Sequence, residues 1–296
     1  MGNCSTINML VRSVLFGTEE DVPAGVNWRK VFADSITNSV STICLAGVMR
    51  LPEEERPGPA LLNEWEQHVS KLKDDYNYRH EATLELKTLL EENGIRMLLL
   101  EGETLAENYP IQYFRECTVV KFILPIYSNK LVMILRSNGV AVWYKSGLIS
   151  FEFKGVRFEC LMLRRSSGFG SYHPQVIPLM KLGLFNTKER PDGCLDYDPE
   201  TKALYAVECA SDIIRKSGGK MNMSILVDLA MLLRRYPYIL LTWEGQLRKT
   251  GLDRFADTML CSMDQLLHTG IKDNWSFLTR VRAKKFTRLL LSDSKT

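Results

Sequence analysis

Histidine is scarce in this chain of 296 residues, and its cysteines form no pattern. The four histidines, His68, His80, His173 and His268, include no two at metal-ligand spacing. The seven cysteines are scattered and contain no CxxC pair, which argues against structural zinc and a disulfide framework. A reducing cytoplasm is the expected compartment. No apolar run approaches the roughly 18 residues that would span a bilayer, so no membrane span is expected. Arg12 interrupts the stretch from Ile7 to Phe16, which therefore does not read as a signal-peptide core. An excess of one charge is missing as well: 38 basic residues against 35 acidic ones leave a net charge of +3, no special attraction to nucleic acid. No Gly-Lys-Ser/Thr phosphate loop, no Ser-His-Asp constellation and no internal repeat can be found.

What is present is enough apolar content, 45%, to bury a substantial core. Asn27 is placed to cap a helix whose stripe runs through Trp28, Val31, Phe32, Ile36, Val40, Ile43 and Cys44. The charged Pro/Gly segment from Pro52 to Pro59 cannot continue it. A long helix is expected from about Leu61 to Asn93, with Trp65, Val69, Leu72, Tyr76, Arg79, Thr83, Leu86 and Leu90 on one side and Gly94 as its stop. Packing on its own domain is the better reading of that helix than a coiled coil, because Arg79 and Thr83 interrupt the seam. The middle of the chain changes character. Arg96 to Leu100 and Thr118 to Leu124 read as strands around a short helix that opens at Gly102 and ends by Pro110. A helix follows from Ser128, then β runs at Val140 to Tyr144, Leu148 to Phe153 and Val156 to Leu163. Lys145-Ser146-Gly147 and Lys154-Gly155 supply hairpin turns. From His173 onward the pattern reads as helical again, with Asp198-Pro199-Glu200 as a helix start. The expected fold is α+β: an N-terminal helical region (1–93), a small mixed sheet (94–172) and a C-terminal helical subdomain (173–296).

One stretch carries a functional signal. Gly94 to Ile123 runs strand, glycine, short helix, Tyr109-Pro110, Arg115, strand. With the Asn27-Trp28 entry, Leu98 to Gly102, Val156 to Cys160, Val227-Asp228-Leu229 and Gly251 to Ala256, it resembles the nucleotidyltransferase-like proteins common in gut Bacteroidetes, a branch of the nucleotidyltransferase fold superfamily. The resemblance implies a first strand ending Lys-Gly and a second bearing Asp-x-Asp. It further implies a third carboxylate on a later strand, with the aspartates holding Mg²⁺ against a nucleoside triphosphate. Mg²⁺ requires hard oxygen ligands, and it neutralises the charge that develops in in-line transfer.

Gly102 matches the motif glycine, but Val119 and Lys121 stand at the two aspartate positions. An ammonium about 4 Å from a dication would be repelled by about 8 kcal/mol at an effective dielectric near 20. Glu101 stands where the resemblance implies a basic residue. Glu159 keeps the third acid, while Leu161 replaces the histidine expected two residues on. The reciprocal reversal of charge suggests that Glu101 and Lys121 pair across neighbouring strands. The same strand also reads as an ordinary amphipathic one, with Lys121 reaching water.

The reading that follows is a cytoplasmic nucleotidyltransferase-fold protein that is catalytically inactive. It would bind a protein partner or a nucleotide-like anion in the old cleft, and no metal or cofactor is expected. A second reading is an active transferase that uses Glu103 and Glu159 with Mg²⁺ and a nucleoside triphosphate. A third is an interaction protein. Asp228 either faces the cleft or ties down a helix. Arg164 and Arg165, in a Ser/Gly-rich stretch, either cradle an anion or belong to a surface loop. The C-terminal helix sets Arg280, Arg282, Lys284, Lys285 and Arg288 beside Phe277, Leu278, Val281, Phe286 and Leu289, a weak pointer to RNA or an acidic partner.

Overall fold

The computed structural model describes residues 2–124, 128–145, 148–161, 187–217, 221–271 and 274–290. Helices enclose a mixed sheet, an α+β architecture. The N-terminal helices are α1 (Gly2–Phe16), α2 (Trp28–Thr37), α3 (Ser41–Val48) and α4 (Pro59–Glu92). Strands β1 (Leu98–Glu101), β2 (Val119–Ile123), β3 (Val142–Lys145), β4 (Leu148–Phe153) and β5 (Val156–Leu161) follow, with α5 (Glu103–Ala106) after β1 and α6 (Ser128–Ser137) after β2. Next come β6 (Lys188–Glu189) and β7 (Leu195–Asp196). The chain closes with α7 (Pro199–Ser217), α8 (Ser224–Arg235), α9 (Ile239–Thr242), α10 (Glu244–Thr250), α11 (Asp253–Leu267) and α12 (Phe277–Leu290). The strand order is β3-β4-β5-β2-β1-β7-β6. β5 runs parallel to β2 and β7 parallel to β1, while the other neighbours are antiparallel.

Alternation along the strands assigns the two faces. Leu99, Val120, Phe122, Phe151, Phe158 and Cys160 join Leu86 and Leu90 of α4 and Leu131 and Leu135 of α6 in one core. Leu98, Leu100, Ile123 and Leu161 point the other way, into a larger core with Leu204 and Val207 of α7. That larger core also holds Leu10 of α1, Ile43 of α3, Trp65 of α4, Leu229 of α8 and Met259 of α11. The N- and C-terminal helices therefore share one apolar interior. α4 spans both cores, burying Trp65 near its start and Leu86 and Leu90 near its end.

Two expectations need correction. The stripe from Trp28 to Cys44 is two helices, not one. Ser39 turns into the left-handed region (φ 54°), Val40 N–H bonds back to the Ser35 carbonyl, and a new helix starts at Ser41. The chain after His173 is not purely helical, because β6 and β7 extend the sheet. Their hairpin closes through Arg190-Pro191-Asp192-Gly193, where Gly193 N–H reaches the Arg190 carbonyl at 2.9 Å. The 2–16 segment, too interrupted for a signal core, is a buried helix. Its Arg12 donates to the Leu266 carbonyl at 2.7 Å and pairs with Glu20. The turn residues Ser146 and Gly147 lie outside the described residues. Among the described residues no helix is long and apolar enough to cross a membrane.

Candidate functional site

The residues singled out on β1, β2 and β5 are adjacent in the sheet. Glu101 is register partner to Lys121, across an irregularity between Leu99 and Glu101, and Lys121 is register partner to Glu159 on its other side. A single row across three strands therefore reads Glu101, Lys121, Glu159, and Ser150 of β4 continues it. The side chain of Glu101 lies outside the described residues, so its pairing with Lys121 is placed by backbone register alone. Glu159 is buried and accepts from Arg157 Nη2 at 2.7 Å. Val119 and Lys121 alternate with the buried Val120 and Phe122, which puts Lys121 on the face turned towards α7.

There, Lys121 lines a cavity of about 120 Å³ between the sheet and the C-terminal helices. Arg115, Asp228, Tyr205 and Asp212 bring further polar groups to its wall, and Leu105 and Ile225 are among its apolar lining. Asp228 of α8 is 3% exposed. It accepts from Arg115 Nε at 2.8 and 2.9 Å and from the Tyr109 hydroxyl at 2.7 Å. Burial, and then the Asp228 charge, hold the Tyr109 phenol well above its ordinary pKa, so it stays a donor. Asp228 lines the cavity and fastens the Tyr109–Arg115 connector to α8. Such a buried pair is costly to break from one side, by about 3–5 kcal/mol.

Gly102 stands just before α5 with φ 79°, and a Cβ there would lie 2.8 Å from Cys117 Sγ. Backbone conformation and close approach both require glycine at this position. Glu103 is held by α4. It is 2% exposed and accepts from Thr83 at 3.4 Å, with His80 Nδ1 at 3.0 Å, both on α4. The pairing of Glu103 with Glu159 in one metal site is not what the fold builds, since each carboxylate is held by different neighbours. The donor set does not fit Mg²⁺: Lys121 occupies the centre of the row. Among the described residues no group of three His, Cys, Asp or Glu side chains is arranged to hold a metal ion. Arg164 and Arg165 lie outside the described residues.

The sequence reading missed a polar network beside α5. Arg190 pairs with Glu107 at 3.1 Å and Asp192 at 2.9 Å, and Lys202 pairs with Asp196. Burial, only partly offset by Lys202, raises the Asp196 carboxyl to about 6. Its one local signal was the Pro-Asp-Gly turn of the β6–β7 hairpin. The remaining partners come from separate elements.

Fold and site together define a class: a mixed-sheet α+β protein with a small polar cleft between its sheet and its C-terminal helices. Against known proteins, no family model matches the chain and no curated protein matches it in sequence. The nucleotidyltransferase resemblance stays a reading of the sequence motifs.

Proposed function

We propose that this is a cytoplasmic nucleotidyltransferase-fold protein that no longer transfers nucleotides and uses the old cleft to hold a small anion or a partner's acidic side chain. The observation that carries this reading is the position of Lys121. It stands between Glu101 and Glu159 in the row where the resemblance implies metal-binding carboxylates, and it faces the cavity. A fixed cation there does electrostatically what a metal would do, without recruiting one. The cavity of about 120 Å³ is of a size to take a small anion or the end of an acidic side chain.

Thermal unfolding with ATP, GTP, CTP and UTP, each with and without Mg²⁺, tests the proposal. Ligand at 100 times its Kd stabilises by about 2.7 kcal/mol, a shift of several degrees. No Mg²⁺-dependent shift is expected in the native chain. A shift that requires Mg²⁺ would overturn the reading and return the protein to the active transferases. In the double variant Val119→Asp, Lys121→Asp, Mg²⁺ affinity should appear. A folded double variant that still ignores Mg²⁺ would show that the row never matched the metal-binding positions.

A second reading, an interaction protein, has one observation in its favour. On α12, Phe277 is 78% and Leu278 68% exposed, beside Arg280, Arg282, Lys284 and Lys285. The side chain of Leu289 lies outside the described residues.

A further inference from the structure

A second cavity, of about 240 Å³, opens on the other side of the β1–β2 connector, between α4 and the β4–β5 turn. Tyr76 and Arg79 of α4, Tyr113, Cys117, Thr118 and Arg157 are among its lining. Arg79 is the unusual member. It is 6% exposed, and an arginine buried so deeply ordinarily faces a carboxylate. Here its Nη1 donates to the Cys117 carbonyl at 2.6 Å, its guanidinium lies 5.5 Å from the Tyr76 ring centroid, and its Nε has no acceptor. No carboxylate among the described residues pairs with it.

The nearby acids are engaged or outlying. Glu116 lines the same cavity but turns to Ser41 Oγ at 2.8 Å and Thr42 N at 2.9 Å, and burial raises its pKa. Glu103 is held by His80 and Thr83. Asp75 lines the cavity from an exposed position, where water screens it. The other two arginines are already matched, Arg115 by Asp228 and Arg157 by Glu159. Arg79 is left as a desolvated cation facing a cavity. A planar fork of N–H donors in that state is a preformed oxyanion site, because the anion supplies the charge and the acceptors that the fold omits.

The surroundings narrow the class of ligand. Tyr113 and Thr118, which carry hydroxyls, are also in the lining, and a tetrahedral phosphate offers such donors more acceptor oxygens than a planar carboxylate does. The cavity is roomier than one oxyanion needs, and Tyr76, Tyr78 and Tyr113 are among its lining residues. The Lys73 ammonium lies 5.8 Å from the Tyr113 ring centroid and adds positive charge beside that lining residue. We infer that this cavity binds a phosphate monoester with a planar ring, of the size of a nucleoside monophosphate, with Arg79 as its anchor. The inference is independent of what the Lys121 cleft holds.

Isothermal titration of the full chain with inorganic phosphate, AMP and adenosine, in Mg²⁺-free buffer, tests it. AMP is expected to bind more tightly than phosphate, and adenosine weakly. Arg79→Leu should weaken AMP at least tenfold in a protein that still unfolds cooperatively, since it removes both the charge and the N–H fork that hold the phosphate. Lys121→Ala should leave AMP binding unchanged, which separates this site from the cleft. If Arg79→Leu does not fold, the pair Tyr113→Phe and Thr118→Val carries the test, with an expected loss of several-fold. No AMP binding, AMP no tighter than phosphate, or binding untouched by these variants would overturn the proposal.

Discussion

Glu103 is a carboxylate removed from water, and the side chain that answers it is a histidine from a different element. His80 keeps its proton to a higher pH than an isolated histidine because its Nδ1 bonds Glu103, a gain larger than the cost of partial burial. The sign of the pH effect follows. Below about 6.5 a histidine is protonated in the unfolded chain as well, so the pair's contribution to stability is fully present. As pH rises past that value the unfolded chain gives up the proton first, and the contribution fades until the folded histidine titrates. The difference in urea midpoint between the native chain and His80→Gln should therefore be larger at pH 6 than at pH 9. An equal difference at both pH values would mean that the imidazole packs against Tyr76 and contributes no charge. Their rings are stacked at a centroid distance of 6.3 Å.

At the scale of elements, local chemistry was legible wherever one residue sets a boundary. Asn27 Oδ1 accepts from Lys30 N at 3.1 Å, and Asp198 Oδ1 accepts from Thr201 N at 2.9 Å, both as capping residues should. Lys154-Gly155, with positive φ at both residues, makes the β4–β5 turn. The break after α2 was not legible, because it depends on a serine in the left-handed region, where glycine or asparagine is the usual signal. Two-residue strands such as β6 and β7 are too short for alternation to register. The site divides in the same way: the row on β1, β2 and β5 follows from motif order, but Arg115 and Asp228 meet across 113 residues of chain. A contact between helices gives the test at this scale. A Cβ at Gly47 of α3 would lie 2.9 Å from the Leu10 carbonyl oxygen of α1, and backbone there cannot swing aside. Glycine to alanine inside a helix normally gains up to about 1 kcal/mol. Gly47→Ala should instead destabilise by about 1–3 kcal/mol, as overpacking does. A raised melting temperature would show that α1 and α3 can separate.

The whole molecule has its ends joined through its interior. Leu10 of α1 is fully buried in the core that also holds Met259 and Leu266 of α11, and Arg12 donates to the Leu266 carbonyl. A three-region division by sequence places these residues at opposite ends of the protein, yet no apolar boundary separates them. Removing side-chain volume at Leu10 should therefore weaken the C-terminal helices as much as the N-terminal ones. Leu10→Ala is expected to cost about 2–5 kcal/mol, the usual range for a leucine deleted from a packed core. Amide hydrogen exchange then discriminates between one cooperative unit and two. Protection in α11 should fall together with that in α1 and α3, by the same free energy. Exchange that accelerates in α1 and α3 while α11 keeps its native protection would mean that the shared core is two cores in contact. In that case the C-terminal helices could move against the sheet, and the Lys121 cleft between them could open beyond its present size.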